Sequence, residues 1–301
     1  MSWRPAHDAH AIERTGIAFQ FAEPIPTKRW QALLNEVAIA ATANGFNSIV
    51  EEFELPMPPV LMGPPAPGIV PNLPLFVGGV LGQPAIGQAA FPPFAPNPGN
   101  GRSFRLIQGS EVREEFSLHR QRFAYASNRY DRWRSFKGRV QSALEVPLDD
   151  VLRMVNLAAI KLEYWDRFIF EGALTDVDYG ELLQTGSSHL PAFPATTHEL
   201  WHSHVGYFSP SEFADRRLVN ANVDIIDILD PPPTTDRQFT KKRSAGVYSM
   251  AQDAAWRNSA PATFSEASTV LDDLHALLKT VLGTIVTPAM AERIALGTNG
   301  T

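Results

Sequence analysis

Residues 159–170, AIKLEYWDRFIF, alternate with a period of two and place Ile160, Leu162, Tyr164, Asp166 and Phe168 on one side. Alternation over that length, in apolar and aromatic residues, is the pattern of a strand lying on a core. Its polar members Tyr164, Asp166 and Arg167 are the candidate binding residues, as a cluster opening between two halves of the chain.

Upstream, residues 13–21 (ERTGIAFQF) end in alternating apolar residues and predict another strand. After Pro24 and Pro26, Thr27 reads as an N-cap. Trp30, Leu33, Leu34, Val37, Ala38 and Ala41 then recur at helical spacing until Gly45. A strand over 47–55 follows. Residues 103–108, 111–119 and 122–127 are three short strand candidates. Asn128 is the expected N-cap of a helix whose stripe is Tyr130, Trp133, Phe136, Val140 and Leu144, stopped by Pro147. An aromatic stripe at this spacing is core rather than a cofactor box.

In the second half, residues 149–154 read as a short helix or a helix tail, and 176–183 as a short helix. Strands are expected over 217–229 and 238–252. A closing helix over 265–282 turns Ala267, Val270, Leu271, Leu274, Leu278 and Val281 inward, and Thr287-Pro288 opens a last short helix. Close strand-to-strand spacings outnumber crossover helices. The fold class is therefore α+β, a largely antiparallel sheet with packed helices. The order strand, helix, several strands, helix occurs twice, which suggests halves at 1–147 and 148–301.

Within the first half lies an unusual segment. Residues 55–101 hold 13 of the 25 prolines and no charged residue. The longest proline-free run there, 75–83, falls far short of the ~20 apolar residues of a spanning helix, so no transmembrane segment is expected. Pro56-x-x-Pro59, Pro71-x-x-Pro74 and Pro93-x-x-Pro96 lack flanking basic residues to orient a docking module. Apolar segments of this length are rarely left in water. The insert is therefore expected to pack on its own domain or mediate contacts with a protein partner, a homo-oligomer being the natural corollary. A net charge of −6 argues against a nucleic-acid partner, and Lys241-Lys242-Arg243 reads as a solvated strand end. The absence of cysteine excludes disulfides, thiolate metal sites and cysteine nucleophiles. The first residues, MSWRPAHDAHAIERTG, have no apolar signal core, and a cytoplasmic location is expected.

The elements placed above resemble a family of sporadically distributed bacterial proteins that bears a provisional family number and no assigned activity. The resemblance rests on Ile12-Glu13 leading to Phe19 and Phe21, on Tyr130, Trp133 and Phe136, on the rhythm of Ile160, Leu162, Tyr164, Asp166 and Phe168, and on Leu274-His275 followed by Thr287. Asp166 stands where that family usually has Asn and Glu163 where it often has Arg, and the proline-rich insert is not a family feature. The resemblance implies accessory or defence-associated gene content and no particular reaction. It transfers no catalytic residue.

One motif spells an enzyme. His198-Glu199-Leu200-Trp201-His202 matches His-Glu-x-x-His, which on a helix sets two imidazoles on one face of a zinc ion with the glutamate as general base. Thr196 or Thr197 is available as a cap, and Glu212 or Asp215 as third ligand, with His204 an unusual alternative. Against a helix stand Val205, Gly206, Tyr207 and Phe208, and the alternation of Leu200, His202 and His204 with Trp201, Val205 and Tyr207. On a strand, residues four apart sit ~13 Å from each other, too far for one ion, although His202 and His204 remain an i, i+2 pair. The strand is the favoured reading. Gly186-Ser187-Ser188-His189 reads as a polar loop. Asp224, Asp227 and Asp230 read as a strand end rather than a cation site, because a spacing of three alternates faces. His275, between Leu271 and Leu278, reads as a hydrogen-bonded histidine at a helix boundary. The function expected is non-catalytic binding or assembly without cofactor. The alternative is a zinc hydrolase with Glu199 as base and His198, His202 and Glu212 as ligands.

Overall fold

The computed structural model describes residues 3–52, 101–191, 197–230 and 240–297. Most of the insert therefore lies outside the described residues, as do Pro194 and Thr196 of the proposed helix entry and the expected first residues of the 238–252 strand. The alternating stretch is the centre of the fold. It forms β7 (Leu157–Phe170), between β2 (Ile12–Phe21) and β10 (Thr240–Trp256), antiparallel to both. Ile17 pairs with Leu162 and Phe19 with Ile160 on one flank, and Ser249 with Tyr164 and Val247 with Asp166 on the other.

Outward from β2 follow β6 (Arg122–Ser127), β5 (Glu111–His119), β4 (Gly101–Gln108) and β3 (Ser48–Glu52). Outward from β10 follow β9 (Ala214–Asp230) and β8 (His202–Ser209). Every neighbour is antiparallel, as the short connections require. A short strand that the sequence did not suggest, β1 (Trp3–Pro5), pairs with Phe168–Phe170 at the end of β7. Trp3 is buried there against Phe170 and donates its indole N–H to the carbonyl of Asp178 at 2.8 Å.

The strand order carries an internal symmetry. In each half the first strand lies at the centre and pairs with that half's last strand: β2 beside β6, β7 beside β10. The run β4-β5-β6-β2 is thus matched by β8-β9-β10-β7. The halves expected from the sequence share one sheet and one apolar core. In the first half α1 (Thr27–Ala43) and β3 stand between the first strand and β4. In the second half residues 171–201 stand there instead, with two 3-10 turns, Leu174–Asp176 and Tyr179–Glu181, in place of the short helix expected over 176–183.

The helices α1, α2 (Trp133–Leu152) and α3 (Phe264–Ile285) lie on one side of the sheet, α2 between the others. They bury Trp30, Leu33 and Leu34 of α1, Phe136, Val140 and Leu144 of α2, and Val270, Leu271, Leu274 and Leu278 of α3 against Phe19, Phe116, Phe123 and Leu162 of the sheet. Pro147 does not stop α2, which continues to Leu152 with the proline inside it. An interior proline costs a helix ~3 kcal/mol. Leu148 and Val151 beyond it are fully buried, and each such burial contributes about 1.5–3 kcal/mol, so packing outweighs the lost hydrogen bond. Asn128 is not the cap of α2; its amide donates to the carbonyl of Val112, and the helix begins at Trp133. α3 is capped by the Thr263 hydroxyl, which accepts from the N–H of Glu266, and α4 (Pro288–Arg293) by Thr287, which accepts from Met290. No described helix is long and apolar enough to cross a membrane.

Candidate functional site

The histidine motif is not helical. Residues 197–201 have no helical turn, and His202 opens β8. The reason lies in Arg243, a buried β10 residue whose Nη1 donates to the carbonyl of His198 at 2.7 Å and to the hydroxyl of Tyr179 at 2.6 Å. Its Nε donates to Asp227 Oδ1 at 2.8 Å. Tyr179 in turn donates to the carbonyl of Glu199 at 3.1 Å. These bonds use backbone carbonyls that a helix would need for its own ladder. Trp201 seals the arrangement, edge-on to Tyr179 at 5.7 Å.

The zinc geometry does not form from these residues. Residues 198–201 make no helical turn and bend at Glu199, so His198 and His202 are not set on one helical face as the motif requires. Glu212 and Asp215 lie beyond Ser209, at the other end of β8, a distance of roughly 20 Å of strand. His202 and His204 do lie side by side, ring centroids 5.3 Å apart, exposed on the sheet face away from the helices. Among the described residues no three His, Asp or Glu side chains gather as ligands to one ion. Asp224, Asp227 and Asp230 are divided as their spacing implied: Asp227 pairs with Arg243 and Lys241, Asp230 with Arg4 and Lys242, and Asp224 is exposed opposite His202.

Tyr164 and Asp166 point to the helix side of β7, and Arg167 to the other side. Arg167 binds Glu13 at 2.7 Å and Ser244 at 3.1 Å. Glu13 is the extra residue of a bulge in β2, between the pairs Ile12–Asp166 and Arg14–Trp165. The candidate trio is therefore split by the alternation that identified the strand. What joins Tyr164 instead is His275 of α3, whose Nδ1 lies 2.9 Å from the tyrosine hydroxyl. Trp133 of α2 stacks on that imidazole, 4.4 Å between centroids at 11°. The ring of Tyr130 also packs edge-on to that of Tyr164, 5.9 Å between centroids. Burial pushes His275 down to about 4, with Lys279 and Lys137 adding to the effect. Burial likewise raises Tyr164 well above the ordinary tyrosine range.

Asp166 is the anomaly of this cluster. It is 3% exposed, and neither carboxylate oxygen has a hydrogen-bond partner among the described residues. Burial, reinforced by the nearby charge of Glu13, pushes it up to about 7. Unpaired buried carboxylates are costly and favour the protonated form. His275 and Asp166 are thus both disposed to be neutral, which makes the cluster a packed polar layer between α2, α3 and the sheet.

His189 is also used internally. Thr284 Oγ1 donates to the carbonyl of Val281, so it accepts from His189 Nδ1 at 2.7 Å, and His189 Nε2 accepts from the hydroxyl of Tyr207 at 2.7 Å. With the proton on Nδ1, His189 is not a base for Ser188, whose hydroxyl is 3.1 Å from that nitrogen. Burial lowers the His189 pKa.

Two constellations were not singled out from the sequence. On the side away from the helices, buried Glu163 Oε2 accepts from Lys161 at 2.7 Å and from Tyr248 at 2.9 Å. Gly16 lies opposite, where an added Cβ would come within 3.0 Å of Glu163 Oε1. Trp165 completes this face, 5.0 Å from Tyr248 and with the guanidinium of Arg14 over it at 5.3 Å. The alternation of Lys161, Glu163 and Trp165 along β7 was the available signal. The second constellation is a buried ion pair: Arg217 meets both oxygens of Asp253 at 2.6 Å, and Ser211 donates to Asp253 at 2.9 Å. Asp273 of α3 lies 2.5 Å from the same guanidinium. An open groove of about 610 Å³ runs beside Arg105 and Arg113; Glu115 and Glu111 already neutralise these two arginines at 2.6 and 3.0 Å. In comparisons with known proteins, no family model matches the chain and no curated protein matches it.

Proposed function

We propose that this chain is a non-catalytic binding or assembly protein, an accessory or defence-associated component of the cytoplasm, whose proline-rich insert makes subunit or partner contacts. The observation that carries the reading is the pairing of Glu52 with Gly101. Glu52 and Gly101, the described residues that flank the segment, face each other across β3 and β4 at one sheet edge. The sheet's own polar clusters, around Arg243, Arg217 and Tyr164, are occupied by structural partners, which supports a contact role for the insert.

The test compares the full chain with a version lacking residues 57–99, by light scattering and circular dichroism. Retained fold with fewer chains per assembly, or loss of binding to an identified protein partner, supports the role. An unchanged number of chains together with unchanged partner binding overturns it. Zinc in stoichiometric amount, lost on His198→Ala with His202→Ala, would overturn the non-catalytic reading instead.

A further inference from the structure

The internal symmetry of the sheet leaves one place empty. In the first half the outer edge of β4 is covered by β3, whose residues Ser48–Glu52 pair antiparallel with Gly101–Arg105. The matching strand of the second half is β8, and no described residue pairs with its outer edge. The sheet has five strands from the first half and four from the second, with β1 aside.

The two edges also differ in chemistry. β3 carries the exposed Glu51, paired with Arg102 at 2.7 Å, the kind of charge that discourages edge-to-edge pairing. β8 reads HSHVGYFS, eight residues without a charge or a proline. Phe208 is 67% exposed on it, and Leu200 just before it is 51% exposed.

The ladder fixes which backbone groups face outward. The N–H of Ile225 donates to the carbonyl of Trp201 at 2.8 Å, which makes Trp201–Ile225 a hydrogen-bonded pair and His202–Asp224 a non-hydrogen-bonded one. Ser203, Val205, Tyr207 and Ser209 therefore bond to β9. The N–H and C=O groups of His202, His204, Gly206 and Phe208 point to the free edge.

We infer that β8 pairs antiparallel with β8 of a second copy of this chain, joining two sheets across a two-fold axis. The segment is self-complementary. With the axis at Val205, all four outward residues find partners: His202 faces Phe208 of the other copy at each end, and His204 faces Gly206 in the middle. An aromatic pair at both ends is a favourable cross-strand combination. The absence of charge lets identical edges meet without repulsion, and an isologous contact of this kind closes at two copies.

The test uses the full chain in solution. Light scattering is expected to give the mass of two chains, and hydrogen exchange to show protected amides at His202, His204, Gly206 and Phe208. His204→Pro removes an N–H that points away from β9, so it should preserve the sheet and yield one chain. His202→Lys with Phe208→Lys sets lysine against lysine at both ends and should also yield one chain. Mixing it with the His202→Glu, Phe208→Glu version should restore two chains by pairing opposite charges. A full chain that is monomeric overturns the inference, as does a two-chain mass that survives both His204→Pro and the lysine pair. This pairing is separate from the insert's role. Deletion of 57–99 that changes the number of chains, with no effect of His204→Pro, retains the insert and removes β8; the opposite result does the reverse.

Discussion

The hydroxyl of Tyr164 meets Nδ1 of His275 at 2.9 Å, joining the central strand β7 to α3 beneath the stacked indole of Trp133. Tyr164→Phe keeps the ring but leaves a partly buried imidazole nitrogen without its hydrogen-bond partner. An unpaired buried acceptor costs about 1–3 kcal/mol. The expected outcome is a lower urea midpoint with an unchanged m-value. A midpoint identical to wild type would show that Tyr130 or a water takes over the contact.

Asp166 and His275 impose opposite pH dependences on stability. Asp166 is raised to about 7 from 3.8, so the native state holds a proton that the unfolded chain releases. Its contribution is fully present below about 3.8 and is lost as pH rises towards 7. His275 is lowered to about 4 from 6.5, so its contribution is present above 6.5 and lost as pH falls towards 4. In the wild type the two slopes oppose each other across that window. Asp166→Asn removes the first, leaving stability that rises with pH between about 4 and 6.5. The variant should exceed wild type at pH 8 by an amount on the order of a few kcal/mol. Denaturant unfolding at acidic, neutral and mildly alkaline pH measures it. A wild-type-to-variant difference that does not change with pH would refute the assignment.

Arg217 and Asp253 form a buried bidentate pair linking β9 to β10. Arg217→Ala strands a fully buried carboxylate, a loss of about 3–5 kcal/mol. Replacing both residues by apolar ones of similar volume should cost much less, since neither charge is then left alone. Thermal and chemical unfolding of the single and double variants checks this. Equal losses in both would point to packing rather than charge.

His202 is exposed on β8, and His198 is exposed with only Nδ1 near the carbonyl of Val177, at 3.1 Å. Replacing both by alanine should lower stability by no more than about 1 kcal/mol. Zinc titration of wild type and variant, followed calorimetrically, should give no difference at the motif. A tight site lost in the variant would mean that the motif's histidines hold metal after all.

Most elements were legible because their periodicity is local. The alternation of 159–170 identified the central strand, and the stripes through Trp30–Val37 and Val270–Leu278 identified two helices. The strand character of residues 202–208 was likewise visible in their alternation and in Gly206. Alternation also separates Arg167 from Tyr164 and Asp166, although the three are close in sequence.

The sequence by itself determined the α+β class, the antiparallel preference and the positions of most strands, because side-chain periodicity records which face of each element leaves water. Only the tertiary structure decided the rest. Pro147 lies inside α2 because distant apolar surface covers the residues beyond it. His275 joins Tyr164, and Arg243 joins His198, because strands and helices far apart in sequence are neighbours in the sheet and its helical layer. That no described residue pairs with the outer edge of β8 follows from strand order, a long-range property that no local pattern encodes.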